Sequence, residues 1–321
     1  MNILVTGGAG FIGSALTRRL IQDGHTVVVI DSFNDYYDVQ LKRARQQEFL
    51  AGSKVYEVDI TDHDQLSGVF TEHQFDLVCH LAAQAGVRYS LEAPSVYVNT
   101  NVLGTQLLYE LMRQHNVPKM ILASSSSVYG TSTMAPFKET DSAVSPVSVY
   151  AATKRAAELV GHAYHEQYGT QTTALRFFTV YGPWGRPDMA LFKFANLMQS
   201  GKPIEIYNEG NLQRDFTYID DIVNGFVSAV ATPLTFEIIN LGYGSPVKLM
   251  DMVAILETAL GMDAVKELVP MQTGDVYETF ADTSKAESLL GFRATVPITT
   301  GIESFANWYK AYYGMVADTA I

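Results

Sequence analysis

Tyr150 and Lys154 stand four residues apart, a spacing that puts both side chains on one face of a helix. A free tyrosine loses its proton near pH ~10, too high for a base at cellular pH. An ammonium held close favours the phenolate and lowers that value. Such a pair can exchange a proton with a substrate hydroxyl near neutrality. Tyr-x-x-x-Lys also arises by chance on many helix surfaces, so its meaning depends on what the rest of the chain supplies.

The elements that must position the pair are readable in order. Ile3-Leu4-Val5 is a short apolar run that stops at Thr6-Gly7-Gly8, the pattern of a buried strand entering a tight turn. Gly7, Gly10 and Gly13 follow at three-residue spacing, and Ser14 to Gln22 reads as a helix. Glycines let a backbone approach a pyrophosphate, and the helix N-terminus offers amide donors and a partial positive charge. A second strand over 26–30 ends at Asp31, 18 residues beyond Gly13. A carboxylate there binds the ribose hydroxyls of NAD and repels the extra phosphate of NADP. The glycine spacing departs from G-x-G-x-x-G, but strand, glycines, helix, strand and acid come in the order that dinucleotide binding requires.

Further strands are expected over 55–58, 76–81, 119–123 and 172–176, with helices between them. Alternation of this kind describes an α/β protein with a doubly wound parallel sheet. Asp59, just past the third strand, either binds the adenine amino group or caps the helix starting near Asp62. Small residues from Ala82 to Gly86 at the fourth strand's C-terminal end leave room for a cofactor. Cys79 and His80 belong to the core, because no second Cys or His has metal-ligand spacing. Arg88 either faces solvent or reaches an anionic substrate. A long helix is expected over 96–115, with Asn101 bonding to backbone and fixing a neighbouring strand. The fifth strand runs into Ser124-Ser125-Ser126-Ser127, hydroxyls placed over the cofactor, and Tyr150 follows Ser125 by 25 residues. Beyond Pro183 come a loop holding Arg186, a helix over 190–200, a segment from Arg214 to Asp221, and a buried strand over 237–241.

Bulk properties limit the alternatives. The chain has 321 residues, 47% hydrophobic and 17% charged, which predicts a packed core rather than disorder. A net charge of -12 argues against non-specific binding to nucleic acid or anionic membranes. Cys79 alone cannot form an internal disulfide and fits a reducing compartment. No apolar run reaches about 18 residues, and Met1-Asn2 leads straight into a strand, so a soluble cytoplasmic protein is expected.

Gly7-x-x-Gly10-x-x-Gly13, Asp31, the serine cluster and Tyr150-x-x-x-Lys154 together resemble the extended short-chain dehydrogenase/reductase family, and within it the nucleotide-sugar epimerases and dehydratases. The resemblance covers essentially the whole chain. Segments 176–183 and 214–221 look like that group, and Gly185-Arg186-Pro187-Asp188-Met189-Ala190 with Ala83 to Arg88 looks like its UDP-glucuronate 4-epimerases. The resemblance implies a Rossmann-type NAD-binding domain over 1–178, revisited near 215–242, and a smaller interwoven α/β domain for the UDP-sugar over 179–321. It implies NAD contacts from Gly7, Gly10, Phe11, Ile12, Gly13 and Asp31, from Asp59, Ile60, Leu81, Ala82 and Ala83, and from Asn101, Tyr150 and Lys154. It makes Tyr150 the base, Lys154 its partner and nicotinamide-ribose ligand, and Ser125 the proton relay at the sugar C4 oxygen. Substrate contacts fall to Arg88, Ser125, Ser126, Ser127, Thr179, Arg186, Met189, Arg214 and Asp275, with no metal. It also implies a homodimer built on helices near 96–115 and 151–168.

The implied reaction interconverts UDP-glucuronate and UDP-galacturonate through a 4-keto sugar, with hydride lent to and returned from NAD. That keto sugar is a β-keto acid, prone to lose CO2. UDP-xylose-forming relatives carry a glutamate where this chain has Ser127, and dehydratases an Asp-Glu pair where it has Ser126-Ser127. Donors from Ser126, Ser127, Thr179 and Arg186 would hold the carboxylate in the sugar plane and disfavour its loss. Arg214 suits the diphosphate, where a guanidinium binds bidentately. The same chemistry on UDP-glucose or UDP-N-acetylglucosamine, UDP-glucuronate decarboxylation, and a non-catalytic NAD-binding regulator are the competing expectations.

Overall fold

The structure, a computed structural model, describes residues 1–131, 134–271 and 276–314. Its first half alternates strand and helix: β1 (Asn2–Thr6), α1 (Phe11–Gln22), β2 (Thr26–Asp31), α2 (Val39–Phe49), β3 (Lys54–Glu57), α3 (His63–Glu72) and β4 (Leu77–His80). Two short helices, α4 (Tyr89–Glu92) and α5 (Pro94–Tyr97), lead through Val98–Leu103 to α6 (Gly104–Gln114). Then come β5 (Lys119–Ser125), α7 (Val149–Tyr168), β6 (Gln171–Phe177) and β7 (Thr179–Tyr181). The remainder comprises α8 (Ala190–Gln199), β8 (Ile204–Tyr207), β9 (Gln213–Arg214), β10 (Phe216–Tyr218), α9 (Ile219–Ala231) and β11 (Phe236–Leu241). It closes with β12 (Val247–Lys248), α10 (Leu249–Leu260), β13 (Lys266–Val269), β14 (Glu278–Thr279), α11 (Ser284–Leu290) and α12 (Ile298–Tyr312).

Seven strands form one parallel sheet in the order β11-β6-β5-β4-β1-β2-β3. Its strands are continuous apolar runs because both faces are covered. Ile3 and Val5 enter the cluster beneath α1, α2 and α9, while Leu4 points to the opposite cluster with α3 and α6. The expected doubly wound sheet is therefore present, and the strand at 236–241 sits at its edge beside β6. The smaller lobe pairs β8 with β13 and β9 with β12 and β14. Its core residues Ile204, Ile206, Met252 and Phe305 belong to the same cluster as Val5 and Leu175. The two lobes thus share one core. Among the described residues no helix is long and apolar enough to cross a membrane.

The ends of the strands and helices carry the polar chemistry. Ser148 caps α7 by accepting from the Ala151 amide at 3.1 Å, and Gly169 ends it in the left-handed conformation. Tyr150 therefore lies in the first turn of a 20-residue helix, with Lys154 one turn on. The expected single helix over 96–115 is instead broken by a π-helical stretch, Val98–Leu103. Asn101 lies inside it and is buried, its side chain turned onto the loop after β4. A π-turn inserts a residue into the helical repeat and re-aims the side chains around it.

Candidate active site

The glycine turn is shaped to take a close ligand. Gly7 has φ +71° and donates its amide to Ile30 O at 2.7 Å, stitching the turn to β2. A Cβ at Gly13 would stand 2.1 Å from Gly7 O, which no side chain tolerates. Helix α1 opens at Gly10 with no side-chain cap, and Gly10, Phe11, Ile12 and Gly13 line the cleft. Asp31 closes β2 and is 8% exposed. Burial raises its pKa, offset in part by the Phe33 and Ala9 amides that it accepts at 2.9 and 3.0 Å. Each carboxylate oxygen keeps a lone pair free of those amides, so the group can still receive ribose hydroxyls.

A cavity of about 650 Å³ runs along the C-terminal ends of the strands, from this turn to the smaller lobe. Gly7, Gly10, Phe11, Ile12, Gly13, Asp31, Asp59, Ile60, Leu81, Ala82 and Ala83 line one end. Asp59 accepts from Thr61 at 2.8 Å, and Asp62 rather than Asp59 caps α3. Asn101 does not line the cavity. It accepts the Gln84 amide at 2.8 Å, donates to Gln84 O at 3.0 Å and to Thr153 Oγ1 at 3.0 Å, tying the β4 loop to α7.

Tyr150, Lys154, Ser125, Ser126 and Ser127 line the centre. Burial raises the Tyr150 pKa; the Ser125 hydroxyl and the Arg186 charge pull it down, and Asp188 raises it again. Lys154 stands one turn further along α7. Its ammonium donates to Ala123 O at 2.8 Å. Burial lowers its pKa to about 8, while Glu158 favours the charge and Arg186 opposes it.

Beneath this centre lies a cluster that sequence reasoning passed over. Glu158, one turn beyond Lys154, receives Arg176 through two bonds of 2.8 Å and Ser124 Oγ at 2.6 Å. Arg155 adds a bond of 2.7 Å. Burial raises the Glu158 carboxyl, but these donors outweigh it and hold the group below its ordinary value. The signal available was the i, i+4, i+8 spacing of Tyr150, Lys154 and Glu158, which puts all three on one helix face. His80, read as core, is buried between Thr6 Oγ1 at 2.7 Å and Thr105 Oγ1 at 2.9 Å. Among the described residues no group of three or more His, Cys, Asp or Glu side chains is placed to hold a metal.

Three arginines, Arg88, Arg186 and Arg214, also line the cavity. Arg186 forms a bidentate pair with Asp188, whose carboxylate also accepts the Tyr36 hydroxyl at 3.2 Å. Neither Asp188 nor Tyr36 was singled out from the sequence; Tyr36 comes from a polar loop 152 residues away. Arg88 lies over the Tyr207 ring at 4.6 Å, and Arg214 donates to Gln213 O and Tyr277 O at 2.8 and 3.2 Å. Thr179 and Met189 line the cavity as well. Asp275 lies outside the described residues.

Residues 3–242 match the family described as the NAD dependent epimerase/dehydratase family. The chain belongs to this family. Its NAD dependence fits the glycine turn and Asp31, and the site's tyrosine and lysine are those of the resemblance drawn above. A UDP-glucuronate 4-epimerase of Arabidopsis thaliana is 46% identical over 98% of this chain and 76% of its own length. A probable UDP-glucuronate 4-epimerase of Rhizobium meliloti is 42% identical over 98% of both chains. The crystal structure of a Bacillus cereus UDP-glucuronic acid 4-epimerase, in complex with UDP-glucuronic acid and NAD, superposes with a TM-score of 0.91 at 37% identity, over 98% of this chain and 100% of that one. This member of the epimerase family therefore shares its fold over nearly its full length with a protein seen holding both molecules.

Proposed function

We propose that the chain is a UDP-glucuronate 4-epimerase, interconverting UDP-glucuronate and UDP-galacturonate. The observation that carries this reading is that Arg186 and Tyr150 line one cavity, so a guanidinium borders the space a sugar at Tyr150 would fill. A sugar whose C4 hydroxyl sits at Tyr150 then presents its C5 substituent towards a cation. A carboxylate satisfies that cation; a neutral hydroxymethyl group does not.

Gly7, Gly10, Gly13 and Asp31 would hold the dinucleotide, which when bound supplies the acceptor and donor of hydride at the sugar C4. Tyr150 takes the proton of the C4 hydroxyl and later returns it. Ser125 hydrogen-bonds the same oxygen and relays the proton. Lys154, charged below about pH 8, adds positive potential beside the tyrosine. Ser126, Ser127 and Thr179 donate to the sugar carboxylate and Arg186 pairs with it. Kept ionised, bonded and in the ring plane, that carboxylate is poorly aligned for loss as CO2. The 127 position, a serine here, offers no acid to assist that loss. Arg214 and Arg88 suit the diphosphate, and Met189 and Asp275 complete the substrate set.

Residues 1–178, with the return near 215–242, form the NAD-binding domain, and 179–321 the UDP-sugar domain. A homodimer through the helices near 96–115 and 151–168 is supported by Val96, Leu103 and Leu159, exposed by 40%, 45% and 54%. A cytoplasmic location is supported by the buried free thiol of Cys79.

The test is incubation of purified protein with UDP-glucuronate, followed by separation of the products. UDP-galacturonate is expected, without added NADH. UDP-xylose with CO2, or dependence on NADH, overturns the reading. Tyr150→Phe is expected to lower turnover by at least about a thousandfold while the protein still retains NAD.

A further inference from the structure

We propose that Arg45 is the positioning residue for Arg186, and that through it α2 sets the preference for an anionic sugar. The inference rests on the reading that Arg186 meets the sugar carboxylate.

Arg45 stands on a polar helix yet is 0% exposed. Its hydrogen bonds to described residues all go to neutral acceptors. Nε and Nη2 donate to Trp184 O at 3.0 and 2.7 Å, and Nη2 also donates to Gly185 O at 2.8 Å. Nη1 donates to Tyr37 Oη at 2.7 Å and to Ala9 O at 3.3 Å. Burying a cation is costly unless every donor is matched. Here the donors are spent on the two carbonyls immediately before Arg186 and on one within the glycine turn.

The held segment would not keep its shape unaided. Gly182 and Trp184 have φ of +145° and +61°, and a tryptophan in the left-handed region persists only when its surroundings fix it. Arg45 supplies that restraint from one side, and Phe49 and Trp308 pack on the Trp184 ring from others. The same fork reaches Ala9, whose amide is bound by Asp31. One guanidinium therefore joins the residues suited to the dinucleotide ribose to the backbone that aims Arg186. A lysine has three donors on one nitrogen and no planar fork, so it cannot keep all five of these bonds.

Binding of UDP-glucuronate and of UDP-glucose to the NAD-loaded protein, measured by calorimetry, tests this. Arg45→Lys is expected to weaken UDP-glucuronate about tenfold and UDP-glucose less than about twofold. Tyr37→Phe removes one partner of the fork and keeps the ring; it is expected to weaken UDP-glucuronate about threefold, again sparing UDP-glucose. In an Arg186→Gln background neither change should weaken UDP-glucuronate further, because all act through one contact. Equal losses for both sugars, or losses that add to that of Arg186→Gln, overturn the proposal and leave Arg45 as scaffold. If Arg45→Lys does not fold, Tyr37→Phe decides by the same comparison. A wild-type protein that holds UDP-glucuronate no tighter than UDP-glucose overturns instead the reading of Arg186, so the two failures are told apart.

Discussion

Two arginines, Arg176 and Arg186, meet carboxylates bidentately near the active-site pair, and they are built for different tasks. Behind the pair, Arg176 and Glu158 are 1% and 0% exposed, and Glu158 has further donors in Ser124 and Arg155. In front, Arg186 and Asp188 are 23% and 28% exposed and face the cavity. The rear pair connects β5, β6 and α7, the three elements that carry Ser125, Phe177 and Lys154. The front pair lies within one loop, two residues apart. A buried pair fixed by several elements is a frame. A partly exposed pair inside a loop is a contact that another carboxylate can take over.

The sharpest way to break this comparison is to remove each acid in turn. Glu158→Ala leaves Arg176 buried and uncompensated, and is expected to cost about 3–5 kcal/mol of stability. Asp188→Ala exposes its partner to solvent and is expected to cost about 1 kcal/mol or less. Urea denaturation of both variants measures the difference. Similar losses would mean that the front pair is as structural as the rear one.

A smaller effect concerns the front pair alone. Asp188 satisfies Arg186 and places a negative charge beside the site where the sugar carboxylate is proposed to sit. Asp188→Asn keeps a hydrogen-bond acceptor for Arg186 and removes the charge. UDP-glucuronate is then expected to bind about threefold tighter, with UDP-glucose unchanged. Weaker binding of the uronate would show that Asp188 orients Arg186 rather than competing for it.

The sequence disclosed the parts of this arrangement that are local. The apolar runs of β1 and β2, the glycines between them and Asp31 lie within 31 residues of chain, and their order alone fixes a dinucleotide turn. Tyr150 and Lys154 are legible because helical spacing is itself geometry. The rest was hidden by distance along the chain. Arg45 looks like one more charge on a polar helix, and only the approach of Trp184, 139 residues later, makes it a buried anchor. Tyr36 and Asp188 meet across 152 residues. The bonding of Asn101 to backbone is expected from its place in the helix over 96–115, but the π-helical turn from which it reaches Gln84 is not. Such features are set by which loops the folded sheet brings together, and no window of sequence contains both partners.

Lys154 reports on both arginine pairs. Burial is the main cause that lowers its pKa to about 8; the Glu158 charge raises it and the Arg186 charge lowers it further. Its ammonium is therefore kept below about pH 8 and lost above that value. Glu158→Gln removes a negative charge that favours the ammonium, so the midpoint should move down. Arg186→Gln removes a positive charge that opposes it, so the midpoint should move up. The measurement is the pH dependence of the Lys154 side-chain nitrogen resonance in ¹⁵N-lysine-labelled protein, assigned by comparison with Lys154→Arg. Opposite displacements mean that the frame and the exchangeable contact pull on the same proton from two sides. No displacement in either variant would place Lys154 under the control of burial alone, with the two pairs too well screened to reach it.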